Sequence, residues 1–337
     1  MKKSMNISAK ISTKTGSIIC AYLAFMSFAL GTSFAHAQSF PDRPITLVVP
    51  NPPGGLVDTS ARLLSEPLTR VIGQPVIVDN KPGASGNTAY QFVAKAKPDG
   101  YTLLISYSGY HVGNPSLMDK LPWDPIKDFS PIALLTVSTN VIAVHPSVPV
   151  NNLKELIAYA KANPGKLNYA SQGNGSVSHI GTEIFKQNTG IDLVHIPYKG
   201  SGPAIQDVLA GQIQVFITTP PSVMQHVQSG KLKGLAVTGK NRHPGMPNVP
   251  TTAEAGLPSF QLESWVALYA PAGTPEPVVA KLTESVKKSL ALSEVKERAD
   301  SAGVELRYLT PTATDALLKK ELPYWDKAIK SANIKLD

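Results

Sequence analysis

Two glycine-rich loops hold the residues whose types and spacing best suit chemistry in this sequence. The first, Pro53, Gly54 and Gly55 with Asp58 close behind, follows the apolar run Ile45 to Val49 and opens a helical pattern. The second, Gly173, Gly175 and Ser176 with His179, stands in the same position after Lys166 to Ala170, about 120 residues further on. Glycine has no Cβ, so the backbone can turn sharply and come close to a ligand. Free N–H groups and the positive dipole end of the following helix favour negative charge there. Each loop alone also reads as a plain tight turn. As a pair, one in each candidate domain, they predict two anion cradles facing each other across a cleft, since open α/β sheets bind ligands beyond the carboxyl ends of their strands.

Catalytic readings find less support. Ser176, Ser178 and His179 lie close in sequence, which keeps a serine hydrolase open, but no Gly-x-Ser-x-Gly elbow occurs and no third orienting group is visible. Beyond the first 37 residues the histidines stand at 111, 145, 179, 195, 226 and 243 and show no metal-ligand spacing, so no metal is expected. Neither a Walker lysine nor a full dinucleotide fingerprint follows the glycine loops, and no cofactor is expected. Of the net charge of +8, four charges are lysines among the first 37 residues; the remaining +4 is mild and its lysines and arginines are scattered rather than clustered, which argues against a nucleic-acid partner.

The elements that must position these loops alternate along the chain. Strands are predicted at Ile45–Val49, Val76–Val78, Thr102–Ile105, Asn140–Val144, Leu167–Ala170, Leu193–His195, Gln214–Thr218, Gly234–Val237 and Trp265–Tyr269. Amphipathic helices are predicted at Thr59–Ile72, Leu153–Ala162, Ser178–Thr189 and Ala204–Ala210, with a helical end from Glu276 to Leu290 and Thr312 to Ser331. Such alternation predicts parallel α/β sheets. Trp123, Trp265 and Trp325 read as core, with Trp265 close to the cleft.

The first 37 residues read as an export signal. Lys2, Lys3, Lys10 and Lys14 form a basic start, Ile18 to Leu30 is apolar but too short to span a bilayer, and Ala35-His36-Ala37 is a small-x-small cleavage site. Cleavage after Ala37 would leave Gln38 first. The single cysteine, Cys20, lies inside this segment, so the mature chain is expected to lack disulfides and cysteine-bound metal.

A longer series of motifs runs through the mature chain. Its parts are Phe40 to Ile45, Pro53 to Asp58, Gly73 to Gly83, Pro98 to Leu104, Leu121 to Pro125, Gly165 to Tyr169, His195 to Gly200, Gly230 to Val237, Val249 to Gly256 and Ala270 to Pro275. In these residues the sequence resembles the extracytoplasmic solute receptors of tripartite tricarboxylate transporters, the Bug-type periplasmic binding proteins. The resemblance implies an α/β, two-lobed type II periplasmic binding protein fold with two crossover segments. It places lobe 1 at 38–139 plus 265–337 and lobe 2 at 140–264, closing as a flytrap does. It also implies a carboxylate held between the two glycine loops, partly through water, and a monomer delivering its ligand to two membrane subunits.

Carried over by position, the implied ligand-binding residues are Pro53, Gly54, Gly55 and Asp58, then Gly173, Gly175, Ser176 and His179, with Gly200 at the end of the His195 to Gly200 motif. Asp58 is expected to shape its loop rather than touch the ligand, because its charge would repel a carboxylate. Members that bind amino acids usually carry an acid or amide after the strand matching Val215 to Ile217. Here Thr218 and Thr219 stand there, donors without charge, which disfavours an amino acid. Tyr107 and Ser108, with Tyr110 beyond, follow a strand where smaller residues are common, and the tyrosines would suit a flat ring or simple packing equally. The expected ligand is a small organic dicarboxylate, aromatic and terephthalate-like if the tyrosines line the site, with citrate or a nicotinate-like monoacid as the alternative.

Overall fold

The computed structural model describes residues 40–331 and Ile334. The expected export signal, with Cys20 and the cleavage after Ala37, lies outside the described residues. From Pro41 onward the described residues belong to one unit.

The strand β1 (Ile45–Val49) is an apolar run with only Thr46 partly exposed, the pattern of a strand covered on both faces. It pairs in parallel with β2 (Val76–Asn80) and β3 (Thr102–Tyr107). Helix α1 (Leu56–Ile72) starts behind Gly55 and ends at Gly73, whose left-handed φ of 79° stops it. Two further helices, α2 (Asn87–Ala94) and α3 (Ser108–Leu117), follow β2 and β3. The long β4 (Phe129–Thr139), β10 (Glu263–Pro271) and β11 (Glu305–Leu309) complete a six-stranded sheet of order β11-β4-β10-β3-β1-β2.

The second sheet has the order β7-β6-β8-β5-β9. It contains β5 (Val141–Val144), β6 (Asn168–Ser171), β7 (Val194–Pro197), β8 (Val215–Thr218) and β9 (Lys233–Val237). Around it lie α4 (Leu153–Ala162), α5 (Val177–Thr189), α6 (Ser201–Leu209) and α7 (Pro220–Gln228). The C-terminal helices α8 (Glu276–Leu290), α9 (Ser293–Ala302) and α10 (Pro311–Ser331) belong with the first sheet; α8 and α10 pack along β4.

Both sheets are mixed rather than wholly parallel. Strand β10 runs antiparallel to β3 and β4, and β5 antiparallel to β8 and β9, because these strands enter from the other lobe. The chain leaves the first sheet at Thr139 and returns at Glu263. The two passages are bound together: the Asn140 amide donates to Thr238 Oγ1 at 2.8 Å, and Thr238 Oγ1 and Asn140 Nδ2 both donate to the Leu262 carbonyl. A pair of strands joined this way can bend together without either losing its backbone partners.

An aromatic core fills the helix-covered face of the first sheet. Tyr90 stacks on Trp123 at 4.5 Å, and Phe129, Tyr269 and Trp265 surround His111. Trp265 and Trp325 are buried, and the Trp265 indole donates to Glu321, so these tryptophans serve packing. His111 is fully buried; its Nε2 lies 2.9 Å from the Pro125 carbonyl and its Nδ1 2.6 Å from Ser106 Oγ. The carbonyl can only accept, so Nε2 carries the proton and Nδ1 receives the serine hydroxyl, which defines a neutral ring.

Burial lowers the His111 pKa to about 4. Its unfolded value is about 6.5, so the unfolded chain takes up the proton first. The resulting stability is complete above pH 6.5 and is lost as pH falls from 6.5 towards 4, by up to about 3 kcal/mol. Denaturant melts across that range should show this loss, and His111→Asn should make it shallower, with the remainder coming from His179, whose pKa burial lowers as far. A variant with the parent's pH slope would exclude His111 as the source.

Candidate functional site

The loop from Asn51 to Gly55 is held from below by one carboxylate. Gly54 has a φ of 98°, which side-chain-bearing residues rarely adopt. Its N–H donates to Asp58 Oδ2 at 3.2 Å, and the same carboxylate receives Arg62 Nε and Asn80 Nδ2. Asp58 is therefore neutralised and occupied within its own lobe, as a loop-shaping acid. Asn80 also binds the Asn51 carbonyl at 2.8 Å, tying the loop to the end of β2.

The opposite loop, Ser171 to Ser176, is built differently. Ser176 caps α5, receiving the His179 N–H, while its hydroxyl donates to the Gly173 carbonyl at 2.6 Å and lies 2.9 Å from Ser178 Oγ. His179 Nδ1 receives the Gly175 N–H at 3.2 Å, so its proton sits on Nε2. The His179 ring stacks on His195 at 4.1 Å, and His195 stacks on Tyr169 at 4.8 Å. Burial first, and Lys186 second, lower the His179 pKa to about 4. The imidazole braces the loop; with Ser176 bound to a carbonyl, no serine–histidine pair of hydrolase geometry forms there. His195 Nε2 does lie 2.7 Å from Ser171 Oγ, but Ser171 is fully buried.

These loops meet across the lobes where side chains are missing. A Cβ on Gly55 would come within 2.8 Å of Ser201 Oγ, and one on Gly200 within 2.7 Å of Pro52 Cδ. On α3, Cβ atoms at Gly109 and Gly113 would meet the Val177 nitrogen at 2.7 Å and Ile180 Cδ1 at 3.0 Å, at the start of α5.

Between the lobes lies a cavity of about 230 Å³. That is below the roughly 300–1,000 Å³ of drug-sized pockets and suits a small metabolite. Its walls are Pro50, the segment Pro82–Gly86 and Tyr110 on one side, and Gln172–Asn174 and Pro197–Lys199 on the other. Lys199 is the only charged residue among them. Asn174 presents a buried Oδ1 without a protein partner, as do Asn51 Oδ1 and Thr219 Oγ1. A wider groove at Pro115–Asp128 is lined partly by Asp124 and Asp128, whose carboxylates accept neighbouring backbone N–H groups.

Of the residues singled out from sequence, Gly173 lines this cavity. Pro53, Gly54 and Gly55 form the adjoining loop and Asp58 stands behind it in the first turn of α1, while Gly175, Ser176 and His179 shape the second. Gly200 packs on Pro52, and Thr218 receives Gln172 Nε2 at 3.1 Å. Tyr107 lies behind Tyr110, edge-on at 5.3 Å and buried, with Ser108 Oγ bound to the Trp265 N–H. The segment Pro82–Gly86 and the residues Gln172, Asn174, Tyr198 and Lys199 were not singled out as site residues. Lys81-Pro82-Gly83 reads as scaffold, and Tyr198 and Lys199 signal themselves only through the His195 to Gly200 motif. Among the described residues no group of three or more His, Cys, Asp or Glu could hold a metal, and no helix is long and apolar enough to cross a membrane.

Comparison with known proteins agrees with this architecture. Residues 60–334 match the model of the tripartite tricarboxylate transporter family receptor. Periplasmic binding protein BugD superposes with a TM-score of 0.84 at 36% identity, covering 88% of this chain and 99% of that one. A Rhodopseudomonas palustris protein, Rpa4515, solved with adipate, gives 0.85 at 35% identity over 88% and 99%. MatC of the same organism, solved with bound malate, gives 0.81 at 36% identity over 86% and 100%. Two lobes, a cavity between them and this family match have one reading: the chain belongs to the tripartite tricarboxylate transporter receptor family of periplasmic solute-binding proteins, which bind and deliver solutes rather than transform them.

Proposed function

We propose that this receptor captures a small organic dicarboxylate between its lobes and, once closed, presents it as a monomer to the two membrane subunits of a tripartite transporter. The observation that carries the reading is the charge of the cavity: Lys199 is its single ionised side chain, and no carboxylate stands among its walls. An ammonium group would find no counter-charge there, and a carboxylate would find one. Asp58, behind the adjoining loop in the first turn of α1, is already paired with Arg62. Backbone N–H groups of the loops would hold charge by fixed dipoles and so need no proton from the ligand.

The apolar surfaces of Tyr110, Pro50, Pro82 and Pro197 suit the hydrocarbon middle of such an acid, and a ring in particular. The adipate and malate seen in two relatives are dicarboxylates and support the class. In this reading the lobe of 38–139 with 265–337 closes on the lobe of 140–264, and the mature chain starts at Gln38 in the periplasm.

Calorimetry with terephthalate, adipate, malate, citrate, nicotinate and aspartate tests the ligand class. An acid without an ammonium group and with two carboxylates should bind most tightly, and Lys199→Met should weaken it by about 1.5- to five-fold, the range for an exposed charge pair. Tightest binding of citrate or nicotinate would overturn the dicarboxylate reading, and tightest binding of aspartate would overturn the exclusion of an ammonium group; adipate far ahead of terephthalate would remove only the ring.

Closure has its own test at the glycine seam. Gly113→Val places branched carbon where Ile180 and the Gly175 carbonyl lie 3.0 and 3.2 Å from a Cβ. Affinity should fall at least about ten-fold and X-ray scattering with ligand should stay expanded, while the ligand-free melting temperature changes little. Parent-like affinity would show that the seam does not limit closure.

A further inference from the structure

One side chain belongs to both lobes at once. Tyr110, on α3, is 3% exposed and lines the cavity. Its hydroxyl receives Asn51 Nδ2 at 3.2 Å within the first lobe and donates to the Gln172 carbonyl of the second lobe at 3.3 Å. A phenol can do both together, as one donor and one acceptor. The ring is located just as firmly: a Cβ on Gly86 would come within 2.4 Å of Tyr110 Cδ2, and Tyr107 stands edge-on behind it.

On the far side, Gln172 carries the connection onward. Its Nε2 donates to Ser201 Oγ at 2.8 Å and to Thr218 Oγ1 at 3.1 Å, and its own N–H donates to Ser178 Oγ. The residue whose carbonyl Tyr110 grips therefore joins the second glycine loop, the start of α6 and the end of β8. Burial pushes the phenol pKa up to about 12, so the hydroxyl keeps its proton at any physiological pH.

We infer that Tyr110 is a positioning residue that couples occupancy of the cavity to lobe closure, its ring forming the ligand wall and its hydroxyl latching the first lobe to the Gln172 carbonyl. This rests on the proposed capture of an acid between the lobes. A ligand seated against the ring holds it on Gly86, and the ring held there aims its hydroxyl at Gln172. The bond exists only when the lobes are together, so it slows opening and has little effect on encounter.

The test is Tyr110→Phe, which keeps the ring and its packing and removes the latch. Stopped-flow binding of terephthalate and of adipate should show association within about two-fold of the parent and release faster by about five- to ten-fold, the scale of one hydrogen bond. The ratio should be the same for both acids, because the lost bond is between lobes. Unchanged release, or a ratio that differs between the acids as a direct ligand contact would give, overturns the inference. Failure of the parent to bind either acid would instead strike the proposed ligand class.

Discussion

Two lobes packed this closely bring backbone against backbone, and a Cβ at the seam would hold them apart. This constraint places glycine at Gly55, Gly109, Gly113, Gly175 and Gly200, each of which puts a missing Cβ within 3.0 Å of an atom beyond its own loop. At all five the blocking atoms include ones from the opposite lobe, and at Gly109 and Gly113 they belong to the start of α5, so that α3 and α5 meet there with almost nothing between them. Glycine inside α3 costs about 0.5–1 kcal/mol per residue relative to alanine. The helix tolerates it because the surrounding aromatic core holds α3 in place through His111 and Tyr110.

The same closeness sets the electrostatics. A seam this tight cannot leave an unpaired buried charge, and the structure complies: Asp58 is paired with Arg62, His179 accepts a backbone N–H as a neutral ring, and Ser176 is spent on its own loop. Charge at the cavity is then left to Lys199, on the exposed rim where water can still reach it. An anion can be attracted there without the desolvation cost that a buried cation would carry.

Much of this architecture is legible from residue order alone, because strands buried on both faces leave apolar runs and glycine loops announce helix starts. The strands at Ile45–Val49 and Gln214–Thr218 and the helices at Leu153–Ala162 and Glu276–Leu290 match within a residue at each end. What escapes has a shared cause. Helix α3 contains Gly109, Gly113 and Pro115, so its local propensity is poor and tertiary packing makes the helix. Strand β4 contains Pro131, which argues against a strand, yet it lies at the core of the first sheet with a register shift near it in the pairing with β10. The direction of β5 and β10 depends on a strand entering from the other lobe, which no local pattern encodes.

The cavity wall at Pro82–Gly86 shows why such a site resists reading from sequence. Gly83, Ala84, Ser85 and Gly86 all have positive φ, at 134°, 47°, 53° and 82°. For Ala84 and Ser85 the left-handed region costs about 1–2 kcal/mol each. A strained turn persists only where its surroundings over-determine it. Here Asn114 Nδ2 donates to the Ser85 carbonyl at 2.9 Å, the Trp123 indole donates to Asn87 Oδ1 at 2.7 Å, and the Tyr110 ring presses on Gly86. All three supports come from α3 or the segment after it, the same stretch that meets the second lobe. The strained wall and the closing seam thus share one helix, so a shift of α3 alters the shape of the cavity and the fit of the lobes together.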